Sequence, residues 1–194
     1  MSEKWESYYE RTRNLPPHRP TIDAISLIEK FRETSGMKAL DLGCGAGRDT
    51  RYLLSKGMIV TAVDANSHGV EALATEFSNE VLTAVVSRFD EFTFDEYDFV
   101  TSQYALPFNP PESFYDLVKS MKDSLLQGGC LSVNIFGDRD GWSSNAQMTF
   151  LSDSEVRKIF EDLTIIKIEE TEKDSNLADG TPKHWHYFDV LVTK

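Results

Sequence analysis

Cysteine is scarce in this 194-residue chain, which has only Cys44 and Cys130. Neither sits in a Cys-x-x-Cys or metal-type spacing, so a disulfide framework and a cysteine zinc site are excluded. A reducing, cytoplasmic setting is expected. Long apolar runs are missing, and none approaches the roughly 20 residues that span a bilayer. The first residues are charged from the start, unlike a secretory signal. Positive charge is in deficit, since 20 Lys and Arg against 32 Asp and Glu leave a net charge of −12. Without a basic cluster, nucleic acid and anionic membrane surfaces are poor partners. No Gly-Lys-Ser/Thr occurs, which removes the phosphate-binding loop of nucleotide hydrolases. Repeats and low-complexity linkers are absent too. The length suits one domain with a sizeable core, expected as a monomer or weak homodimer.

What is present is a glycine turn. Residues 37–42 are a short apolar run containing Asp41, followed by glycine at alternate positions, Gly43, Gly45 and Gly47, with Cys44 between the first two. Helix-compatible sequence resumes at Arg48. Strand, glycine turn and helix in this order let a ligand lie against bare backbone, beside unpaired N–H groups at the helix start. The dinucleotide fingerprint Gly-x-Gly-x-x-Gly does not fit, because Arg48 stands where its third glycine belongs. Asp41 before the glycines would repel a pyrophosphate and suits a ligand that carries an ammonium group. A second apolar run, 57–64, ends in Asp64. Two parallel strands with a right-handed crossover bring Asp64 to the same rim as Gly43, where a carboxylate can accept both ribose hydroxyls.

These residues resemble the cofactor loop of class I S-adenosyl-L-methionine (SAM) methyltransferases, which carry Asp/Glu-x-Gly-x-Gly-x-Gly. The resemblance implies that Asp41, Gly43, Cys44, Gly45 and Gly47 bind the cofactor. It gives Asp64 the ribose and sets Ala65 beside the adenine. The rest of the chain alternates as an α/β, doubly wound Rossmann-like sheet should. Helices are expected over 3–13, 21–34, 67–77, 112–126 and 152–160. Strands are expected over 81–87, 97–102, 130–136, 163–170 and 185–192, with Gly128-Gly129 stopping the fourth of those helices. The last two strands, with no helix between them, imply an antiparallel pair. The family resemblance makes this a seven-stranded, mostly parallel sheet with an antiparallel last strand. Residues 36–194 would be the methyltransferase domain, and 1–35 a helical lid segment packed on it.

Three further segments should reach the rim where such sheets bind ligands. After strand three, Arg88, which aligns with a position that is often acidic in the family, and Phe89 are assigned to the cofactor, with Phe89 flanking the adenine. After strand four, Gln103 is assigned to the cofactor and Tyr104 to catalysis; Leu106, Pro107 and Phe108 would exclude water. Asn109-Pro110-Pro111 lies too far along to be the Asn/Asp-Pro-Pro-Tyr/Phe motif of nucleic-acid methyltransferases. After strand five, 136–142 should face 184–186. These segments look like those of bacterial small-molecule methyltransferases related to the tellurite-resistance type. They make Arg139 an anion clamp, Trp142 a lid, and His184 or His186 a proton acceptor. His-x-His puts both rings on one face, yet no third ligand at suitable spacing appears, so no metal is expected. Trp5, Tyr8 and Tyr9 are expected to close over the site, with Tyr9 on the substrate.

The expected reaction is in-line transfer of a sulfonium methyl to a small nucleophile, catalysed chiefly by positioning in a dry site. A base is needed only if the acceptor is protonated at neutral pH. The alternatives are a non-catalytic SAM-binding protein and an NAD(P)-dependent oxidoreductase.

Overall fold

The computed structural model describes residues 3–77 and 81–194, with side chains from Tyr8 onward, so the side chain of Trp5 lies outside the described residues. Fourteen segments follow in order. They are α1 (Glu3–Thr12), α2 (Arg19–Ile28), β1 (Lys38–Leu42), α3 (Arg48–Ser55), β2 (Ile59–Asp64), α4 (Ser67–Glu76), β3 (Leu82–Val86), β4 (Tyr97–Ser102), a 3₁₀ turn (Leu106–Phe108), α5 (Pro111–Asp123), β5 (Leu125–Phe136), α6 (Asp153–Ile159), β6 (Thr164–Asn176) and β7 (Pro182–Thr193). The strands form one seven-stranded sheet in the order β3-β2-β1-β4-β5-β7-β6. The first five are parallel, and β7 runs antiparallel to both β5 and β6.

Alternation along each strand sorts the core into two layers. Ala24, Ile25 and Ile28 of α2 and Leu53 of α3 pack on Ala39, Val60, Phe99 and Leu191. On the other face Phe114, Val118 and Met121 of α5 and Val156 of α6 pack on Leu40, Val100, Leu131, Phe188 and Val190. Both faces of the central strands are therefore dry, which is why β1 and β4 read as apolar runs.

Several boundaries differ from the sequence expectation. Helix α2 begins at Arg19, because Pro20 fits a first turn, where its missing N–H costs nothing. It ends at Ile28, which leaves Phe31 82% exposed. Helix α5 ends at Asp123, well before Gly128-Gly129. Ser124 O instead accepts from Tyr97 N at 2.8 Å, and Lys194 Nζ binds the Asp123 and Leu125 carbonyls at 3.1 and 2.8 Å. Gly128, with φ 76°, lies within β5 near a register shift against β4 and stops no helix. The terminal strands are longer than expected, pairing from Thr164↔Thr193 out to Asn176↔Pro182.

Candidate active site

The loop from β1 to α3 is held by backbone bonds. Gly43 N and Cys44 N both donate to Val63 O, at 2.7 and 3.0 Å. Gly45, with φ 52°, has a conformation few side chains tolerate, and its N–H donates to Asp64 Oδ2 at 2.9 Å. Gly47 caps α3 in the left-handed region. Cys44 is buried, and burial pushes its thiol well up, so it is not a nucleophile.

Asp64 ends β2 at the rim. Its other oxygen accepts Asn66 N at 2.8 Å. The Tyr9 hydroxyl lies 3.3 and 3.4 Å from its two oxygens. Burial raises the pKa of Asp64 above the usual carboxylate range. Ala65 beside it is exposed. Asp41 is turned into the base of α3, where Thr50 Oγ1 donates to it at 2.5 Å. Burial and the negative Asp49 push Asp41 up to about 8. Asp49 in turn accepts His18 N at 2.8 Å and His18 Nδ1 at 2.7 Å, while His18 Nε2 accepts from Arg48 at 3.1 Å.

Phe89 reaches the loop, since a β-carbon on Gly43 would come within 3.1 Å of its ring. Arg88 is exposed and paired with Asp90 at 3.0 Å, so its guanidinium is engaged along the surface. Gln103 is corrected from a rim residue to a buried one. Its amide donates to Thr101 Oγ1 and Ser132 O, both at 3.1 Å, and its Oε1 has no partner.

Tyr104 is the one non-glycine residue with positive φ among those described, at 54°. That strained backbone sets its ring within an aromatic group, with centroids 5.7 Å from Tyr187, 5.9 Å from Trp185 and 6.3 Å from Phe136. Burial and the neighbouring Tyr187 raise its pKa, so the phenol stays protonated and can donate but not act as a base at neutral pH. Trp142 joins from the other side, 6.1 Å from Trp185 and 6.3 Å from Phe108. Between these rings lies Lys183, whose Nζ is 3.9 Å from the Trp185 centroid and 4.3 Å from that of Trp142. The ammonium forms a buried ion pair with Asp140 at 2.5 Å. Asp140 also accepts Trp142 N at 2.9 Å and His186 N at 3.2 Å.

The two histidines stand at the expected end of the sheet, where Phe136 pairs with Tyr187. Their orientation corrects the expectation. Trp185 and Tyr187 face the aromatic group, so His184 and His186, one residue out of phase, face the opposite side. His186 is fully buried beneath Gly137; its Nε2 lies 2.8 Å from Glu170 and its Nδ1 accepts Arg139 N at 3.0 Å. His184 pairs with Asp174 at 2.8 Å and Glu172 at 3.2 Å. Glu170, Glu172 and His186 bring possible ligand atoms within 4.8 Å of one another, a set that sequence spacing did not show. Arg139 already bridges the two carboxylates at 2.5 and 2.8 Å. It closes an ion-pair network and does not face the rings.

Sequence reasoning missed His18, Asp49, Asp140, Lys183 and Tyr187. Tyr187 was within reach, because the alternation that pairs His184 with His186 also pairs Trp185 with Tyr187. The other four depend on long-range contacts.

Comparison with known proteins agrees with this geometry. Residues 1–181 match the family model of the tellurite resistance protein TehB. A probable SAM-dependent methyltransferase TehB of Haemophilus influenzae is 31% identical over 130 residues, 65% of this chain and 43% of that protein. An uncharacterized methyltransferase of Staphylococcus carnosus is 29% identical over 134 residues, 67% of this chain and 63% of that protein. The matches thus span less than two thirds of these relatives. The crystal structure of TehB from Haemophilus influenzae superposes with a TM-score of 0.78 at 22% identity, covering 99% of this chain and 67% of that one. A Burkholderia thailandensis 1,6-didemethyltoxoflavin-N1-methyltransferase, solved with bound 1,6-didemethyltoxoflavin and S-adenosylhomocysteine, gives 0.72 at 18% identity, covering 98% and 85%. The low identity makes these two a likeness of fold. With 181 of its 194 residues matched by the family model, this chain belongs to the TehB family.

Proposed function

We propose that this chain is a SAM-dependent methyltransferase acting on a small-molecule nucleophile. The observation that carries the reading is the pairing of Gly45, bare at the loop, with Asp64, whose two oxygens stand at the same rim. The residues fit the cofactor. The glycine loop offers backbone without a β-carbon, Asp64 offers two acceptors for the ribose hydroxyls, and exposed Ala65 with Phe89 flanks the place of the adenine. Asp41, buried and accepting from Thr50, supports the loop from the base of α3. When bound, the cofactor supplies a methyl on a sulfonium, activated for transfer.

The chain's own task is to position the acceptor and keep water out. Tyr104, Phe136, Trp142, Trp185 and Tyr187 form an aromatic wall around the buried Lys183–Asp140 pair, with a few polar groups among apolar surface as small-molecule sites commonly have. A protonated Tyr104 can orient an acceptor by donating a hydrogen bond. With His184 and His186 turned away, the wall favours an acceptor that needs no strong base, such as a thiol or another soft nucleophile. The net charge of −12 disfavours nucleic acid as substrate. No helix among the described residues is long and apolar enough to cross a membrane. We place the protein in the cytoplasm as a monomer or weak homodimer, with residues 1–35 as a lid on a single domain.

Calorimetry with S-adenosylhomocysteine and a methyl-transfer assay across thiol, amine, phenol and carboxylate acceptors test this. Binding in the wild type, lost in Gly45→Val, with transfer to at least one class, is the expected result. Binding with no transfer to any acceptor would make the chain a SAM-binding regulator instead.

A further inference from the structure

Tyr9 stands where the proposed site keeps room for its ligand. A β-carbon on Gly45 would come within 2.9 Å of Tyr9 Cε1 and 3.4 Å of Cδ1, so the ring covers the bare face of the loop. The same side chain brings its hydroxyl to 3.3 and 3.4 Å from the two oxygens of Asp64. One residue thus uses both features assigned to the cofactor, the open backbone and the carboxylate. It is buried in doing so, 8% exposed. Tyr8 packs edge-on against it at 5.8 Å. A phenol on Asp64 has the chemistry of a ribose hydroxyl there, an O–H donor to a carboxylate carried on a flat, largely apolar body.

The helix that delivers Tyr9 is not woven into the sheet. It lies against α4, and just beyond its end Arg13 reaches Glu76 at 3.1 Å with half of the arginine side chain exposed. An ion pair of that kind is a weak tie in water. Glu76 is also bound by Arg51, at 2.8 Å, so it keeps a partner if α1 leaves. Asp64 likewise keeps the Gly45 and Asn66 N–H groups when the phenol departs. Both anchoring carboxylates therefore remain satisfied in a state with α1 displaced.

Resting on the cofactor placement above, we infer that Tyr9 is an internal competitor of SAM, a phenol that holds the ribose carboxylate until the cofactor displaces it. The ligand-free chain then divides between a closed form, which cannot bind, and an open form, which can. The apparent dissociation constant is the intrinsic one divided by the open fraction. Weakening the closed form must tighten binding, which is the reverse of what loss of a ligand contact or of a supporting side chain produces.

The test is calorimetry with S-adenosylhomocysteine on the wild type, Tyr9→Phe, Tyr9→Ala and Asp64→Asn, with circular dichroism confirming the fold of each. Tyr9→Phe removes one hydrogen bond from the closed form and should bind about 2- to 10-fold more tightly. Tyr9→Ala removes the ring as well and should bind at least as tightly as Tyr9→Phe. The thermal shift produced by saturating ligand should grow in both. Equal or weaker binding in both Tyr9 variants overturns the competition and makes Tyr9 a ligand contact or a scaffold. Wild-type affinity in Asp64→Asn overturns the ribose placement itself, and the competition falls with it.

Discussion

At the loop between β1 and α3 the backbone makes the site, with three glycines of positive φ, the Gly45 N–H turned on Asp64, and few side chains of its own. At the far end of the rim the side chains make it, with Lys183 and Asp140 buried among Phe136, Trp142 and Trp185. The first region can hold a ligand common to a whole family, because backbone geometry tolerates changes in the residues around it. The second is held by side-chain partners, and its stability depends on each of them being present.

The largest effect that would break this contrast comes from Asp140→Ala. It strands the Lys183 ammonium among apolar rings and should cost about 3–5 kcal/mol of stability, read from urea unfolding. A loss below about 1 kcal/mol would mean the pair behaves as a surface one. Next is Asp64→Ala, which should cost about 1.5–3 kcal/mol of S-adenosylhomocysteine affinity by calorimetry. Stability should fall with it, because Gly45 N and Asn66 N lose their acceptor. Affinity lost at unchanged stability would show that the loop holds its shape without Asp64.

A change of slope follows. Asp41 has a folded pKa of about 8, raised from 3.8, so the native state holds its proton more tightly than the unfolded chain. Its contribution is complete below pH 4 and is lost as pH rises through about 8. Asp41→Asn should flatten the decline of stability between those limits, measured by unfolding at a series of pH values. The smallest effect is expected from His184→Ala. Its pKa is raised by Asp174 and Glu172, so its contribution is complete below its ordinary value of 6.5 and fades as pH climbs through the raised one. Turnover should fall more in Tyr104→Phe than in His184→Ala; the opposite order would return the imidazole to the chemistry.

The glycine loop and Asp64 were legible because a strand, a glycine turn and a rim carboxylate are local patterns. The sheet was legible too, through its alternation of apolar runs and helical stripes. The end of α5 was not, since Asp123 is held by Lys194 at the other end of the chain and nothing nearby announces a stop. The facing of the histidines was misjudged because His-x-His fixes a shared face but not which face. Tyr9 was read as a substrate residue from its aromatic character, while its place over Gly45 depends on how α1 folds back across the loop.

Strand β6 closes the sheet with one long side unpaired, thirteen residues of mostly exposed chain. Such an edge invites a second molecule to add a strand. Here it carries Lys167, Glu169, Glu170, Glu172, Lys173 and Asp174, and its most apolar stretch, Ile165 and Ile166, falls at a register shift that disturbs the ladder. Two copies approaching edge to edge would have to stack acidic rows and match a bulge. The same carboxylates that fix Arg139 and the histidines thus also make this edge a poor template for a second copy of itself.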